Sequence, residues 1–419
     1  MELVTTAFIG STPSVDTRPR VTVLAGFSAE ATAAIGRSLL VTDRRLLLVS
    51  HDMRRVRDGV VRRTVRTADA VLEQEVVELV HGCVSCTLRE DVLPTLLRLA
   101  RQRPDSDILL ALPPVIEPEA VAAACAHAGA GEQLRFDSYV TVVEAAGFLD
   151  DLASTEDLRD RDLHAADEDR RGVAEVVVRQ VEYADTIVVW GHPQHDALDD
   201  ARLTALLHRL APWATHLRVG DTGRVDCTAL AARLRRTGRH DPRTPGILGR
   251  ALEGFPIGID DPAGEHGANS VLFRSRRPFH PVRLHEALED LTTEALRVRG
   301  QFWIASQPDT AIGWESAGGG VSLGTLGYWL AALPAERWPE TSGLRRMAAD
   351  VDWDPYYGDR RTVLALVGLN LDAEALTARL TECLLTDREL AEGFEAWPGW
   401  ADPFAGFFPL TDEDDTAPA

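Results

Sequence analysis

Two cysteines three residues apart, in His81-Gly-Cys-Val-Ser-Cys-Thr-Leu-Arg-Glu-Asp91, are the side chains here best suited to hold a soft metal ion. Cys83 and Cys86 would supply half of a tetrahedral thiolate site, or a redox pair. A helix expected just after them would aim its N-terminus at the sulfurs, lowering the thiol pKa and favouring the thiolate that a metal requires. A complete zinc site needs two more ligands; His81 is adjacent, and His280 would have to arrive from the second half of the chain. Two small residues packed in a turn satisfy the same spacing without any metal. Cys125, Cys227 and Cys383 lie in apolar or helical contexts and read as packed thiols. Five cysteines scattered over 419 residues are too few for a disulfide scaffold.

A second stretch sits where phosphate chemistry would be done. Leu24-Ala-Gly-Phe-Ser-Ala-Glu-Ala-Thr-Ala-Ala-Ile35 joins a strand to a helix. A phosphate-cradling loop there needs glycines whose amides turn inward, a lysine for the β and γ oxygens, and a hydroxyl for Mg²⁺. Only Gly26 has the right chemistry. Thr32 stands at the lysine position and Ala33 at the hydroxyl position, while Glu30 would set a carboxylate against the polyphosphate. The chain contains no lysine at all, so all 44 basic residues are arginine. That excludes a P-loop lysine, a Schiff base and a pyridoxal-phosphate anchor, and arginine does not reproduce a compact ammonium. Where a guanine base would be read, Ile187-Val-Val-Trp-Gly-His-Pro193 carries Trp190 and lacks the Asn, Lys and Asp; His192 and His195 read as solvated.

These residues must be positioned by a regular alternation of elements. Strands are expected at 21–26, 46–50, 76–80, 107–112, 138–143, 186–190 and 216–219. Helices are expected at 28–40, 89–101, 117–128, 173–183 and 199–210. Short apolar strands alternating with helices predict an α/β fold, a mostly parallel sheet covered on both faces. Pro and Gly accumulate between His240 and Gly267, marking a linker. Beyond it lie seven of the nine tryptophans and two notable helical stretches, 285–297 and 373–383. The expected organisation is a leader over 1–19, a first domain over 20–240, a linker over 241–268, a second domain over 269–400 and an acidic tail over 401–419.

The net charge of −21 repels phosphate backbones and anionic membrane surfaces, so neither nucleic acid nor membrane is an expected partner. No signal peptide is visible and no apolar stretch approaches a membrane span, so the expected location is cytoplasmic.

Taken in order, several segments resemble the CobW family of P-loop GTPase metallochaperones. Val21-Thr-Val-Leu-Ala-Gly-Phe27 is similar to the family's strand into the P-loop. Gly82 to Asp91 resembles its Cys-x-Cys-Cys metal motif, with Ser85 in place of the middle cysteine. Val142-Val-Glu-Ala-Ala-Gly-Phe148 and Arg179-Gln-Val-Glu-Tyr-Ala-Asp185 match further stretches. In the second half, Arg276-Arg-Pro-Phe-His-Pro281, Gly300-Gln-Phe-Trp-Ile-Ala-Ser306, Trp353-Asp-Pro-Tyr-Tyr-Gly-Asp-Arg-Arg361 and Leu384-Leu-Thr-Asp387 resemble the family's C-terminal domain.

The resemblance implies a P-loop NTPase-like α/β domain followed by a small α+β CobW C-terminal domain. It also implies zinc, cobalt or another divalent metal at Cys83 and Cys86, with His81 or Glu117 completing the site, and a client metalloprotein or other protein partner. Glu117 belongs to Leu112-Pro-Pro-Val-Ile-Glu-Pro118, which replaces the family's acidic switch. Gly26, Thr32 and Ala33 mark the degenerate P-loop. Losing the lysine and the Mg²⁺ ligand together removes most of the charge stabilisation of phosphoryl transfer. The expectation is a metal-binding pseudo-GTPase with no catalytic residue, which has lost GTP hydrolysis and tight binding of GTP and Mg²⁺. Two other readings compete: a slow GTPase using arginines such as Arg37 or Arg44, and a protein-interaction scaffold without metal.

Overall fold

The structure, a computed structural model, describes residues 16–192, 197–220 and 225–410. The leader through residue 15, His195 and the tail from residue 411 lie outside the described residues.

The first half is built on an eight-stranded sheet in the order β4-β3-β2-β5-β1-β6-β7-β8. Its strands are β1 (Arg20–Ala25), β2 (Leu47–Asp52), β3 (Val60–Arg66), β4 (Val71–Glu78), β5 (Ile108–Ala111), β6 (Arg135–Glu144), β7 (Thr186–Trp190) and β8 (Thr215–Val219). From β2 to β8 every pairing is parallel, and the β2-β3-β4 edge is antiparallel. Helices α1 (Ala29–Leu40), α2 (Val84–Thr87), α3 (Leu93–Gln102), α4 (Pro118–His127), α5 (Phe148–Leu152), α6 (Val173–Glu182), α7 (Ala197–Leu210) and α8 (Cys227–Leu234) connect and cover it.

Because side chains alternate along a strand, β1 feeds two cores at once. Val21, Val23 and Ala25 join the core under α3, α4, α6 and α7. Leu24 points the other way, to Ile35 and Leu39 of α1 and Leu230 and Leu234 of α8. β1 and β6 are neighbours whose connections leave in opposite directions, so a crevice opens beyond their C-terminal ends, the usual ligand position in such sheets.

The second half forms a six-stranded antiparallel sheet, β13-β12-β11-β14-β10-β9. These strands are β9 (Asp261–Glu265), β10 (Ala268–Ser275), β11 (Arg297–Phe302), β12 (Thr310–Ala317), β13 (Gly320–Tyr328) and β14 (Thr362–Leu369). Helices α9 (Pro281–Thr293) and α11 (Ala373–Glu382) pack Leu284, Leu291, Leu376 and Leu380 on one face; α10 (Gly343–Val351) and the short α12 (Asp387–Leu390) lie outside. The other face meets the first half, and Ala268, Ala317 and Val367 belong to the same core as α6 and α7. The Pro- and Gly-rich stretch expected as a linker buries Ile247, Ala251, Leu252 and Ile257, and contains β9. Phe404 and Phe408, within the expected tail, are buried in the core of the second sheet.

Candidate functional site

At the turn after β1, the loop is only Gly26-Phe27-Ser28 before α1 begins at Ala29. Ser28 caps the helix, its Oγ accepting from the Ala31 amide at 3.3 Å. Its carbonyl accepts from both the amide and the hydroxyl of Thr32, at 3.1 and 2.8 Å. The reason is local: a P-loop keeps glycines where this chain has Ala29 and Ala31, and alanine favours helix. The Ala31 and Thr32 amides are therefore spent on Ser28 at the start of α1.

Gly26 is where the backbone passes closest, since a Cβ there would come within 2.5 Å of both Thr32 Oγ1 and the Val142 carbonyl oxygen. Thr32 is buried and Ala33 half-buried in the first turns of α1. All three expected P-loop residues are thus adjacent, arranged as a packed helix start.

The crevice beside this turn holds about 230 Å³, bordered by Phe27, Ser28, Val142, Glu144, Asp151 and Arg161. That is smaller than the roughly 300–1,000 Å³ usual for drug-sized ligands. Its one cation is committed: Arg161 pairs with Asp151 at 2.5 Å and Glu156 at 2.7 Å. Burial pushes the Asp151 carboxyl above its ordinary range despite that partner. Trp190, in the expected base-reading strand, packs against the core that holds α1 and α8.

The cysteine loop follows β4. Gly82 makes its close fit possible, because a Cβ would meet the Val56 carbonyl oxygen at 2.1 Å. Cys83 then caps α2, its Sγ accepting from the Cys86 amide at 3.3 Å. The helix continues through a π-helical turn, Leu88–Val92, into α3. Such turns often mark functional positions. Cys83 is half-buried and Cys86 buried, and Arg89 Nη2 donates to Cys86 Sγ at 3.5 Å.

The helix was expected to lower the thiol pKa, and for Cys86 the structure gives the opposite. Burial raises it, and the neighbouring Cys83 and Glu90 add to the rise. His81 is exposed two residues upstream, its carbonyl accepting from the Cys83 amide. Among the described residues, no group of three His, Cys, Asp or Glu side chains is close enough to hold a metal ion. His280 instead caps α9 through its Nδ1 and stacks on Trp400 at 5.3 Å.

Glu117 leads elsewhere. One carboxylate oxygen accepts from Arg171 at 2.9 Å and the other from Arg179 at 3.4 Å. Arg179 also reaches Glu315 of β12 at 2.5 Å. Glu315 accepts from Arg297 of β11 at 2.7 Å, and Arg297 grips Glu182 of α6 at 2.8 and 2.7 Å. Arg299 also pairs with Glu182 and donates to the Leu210 carbonyl at 2.7 Å. The segment that replaces the switch is further pinned by Gln180, whose Nε2 donates to Pro114 and Ile116 carbonyls.

This ionic chain joins the two sheets, and sequence reading missed it. The available signal was Arg297-Val-Arg299, two arginines on one face of a strand, which ordinarily reads as a solvated face.

Comparison with known proteins gives the same two parts. Residues 43–218 match the CobW/HypB/UreG nucleotide-binding domain, and residues 268–384 match the cobalamin synthesis protein cobW C-terminal domain. A Mycobacterium tuberculosis protein named zinc chaperone Rv0106 is 35% identical over 368 residues, which cover 83% of this chain and 84% of that one. The zinc-regulated GTPase metalloprotein activator 1 of Dictyostelium discoideum is 29% identical over 347 residues, covering 79% and 70%. Among solved structures, the Zn(II)-bound YjiA GTPase from E. coli aligns over 88% of this chain and 99% of its own, at 14% identity and a TM-score of 0.36.

Proposed function

The chain belongs to the CobW family, and on that premise we propose that it binds and hands on a divalent metal, zinc foremost, without coupling the transfer to GTP. The observation that carries this reading is a contrast between two turns of the same sheet. After β4, Cys83 and Cys86 stand together at a helix start, with Cys83 half-buried and the neighbouring His81 exposed. After β1, the loop that would hold phosphates is wound into α1.

The metal is cargo on this reading. Cys83 and Cys86 supply two thiolates, and His81, whose exposed side chain is free to turn, supplies a third ligand when the ion arrives. The coordination position left over suits an ion that must be passed to a protein client offering its own ligands. The raised pKa of Cys86 means that metal must displace a proton there, so uptake releases protons and strengthens as pH rises.

GTP and Mg²⁺ do not fit the residues present. Glu30 lies in the first turn of α1 and no lysine exists to neutralise the phosphates. The match to the nucleotide-binding domain also begins at residue 43, beyond the β1–α1 segment.

Zinc titration of the whole protein, beside Cys83→Ala/Cys86→Ala and with a fluorescent GTP analogue in parallel, tests the proposal. Zinc bound by the native chain, lost in the double variant and indifferent to GTP, is the expected result. Measurable GTP hydrolysis, or zinc binding unchanged by loss of both cysteines, would overturn it.

A further inference from the structure

We infer that β4 is the seat of a symmetric dimer, in which the strand pairs antiparallel with β4 of a second copy about a two-fold axis through Val76. The strand is terminal in its sheet, so among the described residues nothing pairs on its outer side. Residues 71–80 contain no Pro or Gly to interrupt pairing, and Val76 is 62% and Val80 76% exposed. Edges left open in this way are templates for another strand. Glu73 and Glu75 are turned to the chain's own Arg98 and Arg63.

The backbone fixes which registers are allowed. The Leu79 amide donates inward to the Gly59 carbonyl, and Val77 and Glu75 stand opposite Val61 and Arg63 of β3. N–H and C=O of one residue point the same way and alternate along the strand, so Gln74, Val76 and Glu78 present theirs outward. A symmetric antiparallel pairing must match these outward residues with one another. Centred on Gln74, it sets Glu73 against Glu75 of the second copy. Centred on Glu75, it sets that carboxylate against itself. Centred on Val77, it presses Val76 against Glu78.

Centred on Val76, the most exposed apolar side chain of the strand meets its own copy, Val76 against Val76 on the axis. Gln74 falls opposite Glu78, amide against carboxylate, and no like charges are opposed. About six ladder hydrogen bonds form, and they stop at Val80, whose amide already donates to Glu90 at 2.9 Å. Such a self-complementary patch is what a two-fold interface requires.

Sedimentation velocity of the full chain at rising micromolar concentration tests this, with Val76→Glu and Val76→Pro alongside. The native chain is expected to sediment at twice its mass and both variants as monomers, since one sets like charges on the axis and the other removes an outward amide. Oxidised Val76→Cys is expected to form a covalent dimer, because directly paired Cα atoms lie about 5.5 Å apart, within disulfide reach. Gln74→Cys, facing Glu78, is expected not to. A native chain that stays monomeric, a dimer that survives Val76→Glu, or equal cross-linking at both positions would overturn the inference.

Discussion

Gly26 and Thr32 show how much one turn can decide. The Thr32 hydroxyl and the Val142 carbonyl leave no room for a Cβ at Gly26. Gly26→Ala is therefore expected to destabilise the fold by about 1–3 kcal/mol, the usual cost of overpacking, read as a lower midpoint in urea. Thr32→Lys with Ala33→Thr would rewrite the two missing side chains without restoring the loop, because Ala29 and Ala31 keep the helix wound. Those changes are expected to give no gain in GTP affinity by fluorescence titration; nucleotide binding on the side chains alone would show that α1 unwinds readily. The cysteine pair, Gly26 and the substitutions at 32 and 33 could all be read from the sequence. The raised pKa of Cys86 could not, since it comes from burial that only the folded loop creates. Nor could the fate of Glu117, whose partners Arg171 and Arg179 lie 54 and 62 residues away.

Elements were most legible where apolar runs were long. β1, β7, α4 and α6 fall within a residue or two of their expected bounds. β3 was missed because Val60-Val-Arg-Arg-Thr-Val-Arg66 places charges among its valines, and Arg63 is buried through Asp91, Glu73 and Glu75. The helix expected from residue 89 starts at Val84, since a cysteine as cap is not a usual start signal. Packing between elements has a pH signature at Glu119 of α4. Burial, with Glu315 nearby, raises its pKa from 4.5 to about 7. The unfolded chain releases that proton near the ordinary value, whereas the folded chain keeps it. Stability therefore falls as pH rises from about 4.5 to about 7, and stays reduced above. Glu119→Gln is expected to be more stable than the native chain near pH 8, by up to about 3 kcal/mol, and no more stable near pH 5. A constant difference at both pH values would contradict this.

For the whole molecule, the decisive feature is the charge chain between the sheets. Arg297 and Glu182 are fully buried, with Glu315 and Arg179 extending the chain to Glu117. Removing one member strands an opposite charge in the interior, so Arg297→Met is expected to cost about 3–5 kcal/mol in denaturant unfolding. The two-part architecture was readable from alternating strands and helices and from the tryptophan-rich second half. The junction was not, because a strand bearing Arg297 and Arg299 reads as exposed until α6 supplies Glu182. Through Glu117 and Arg179, the 112–118 segment is thereby tied to Glu315 of the second sheet. The most direct measurement is a zinc titration against a competing chelator, with and without GTP and Mg²⁺, on the native chain and on Cys83→Ala/Cys86→Ala. The account predicts zinc held through the cysteines with an affinity that GTP does not change. Zinc affinity that shifts on adding GTP, or that survives loss of both cysteines, would contradict it.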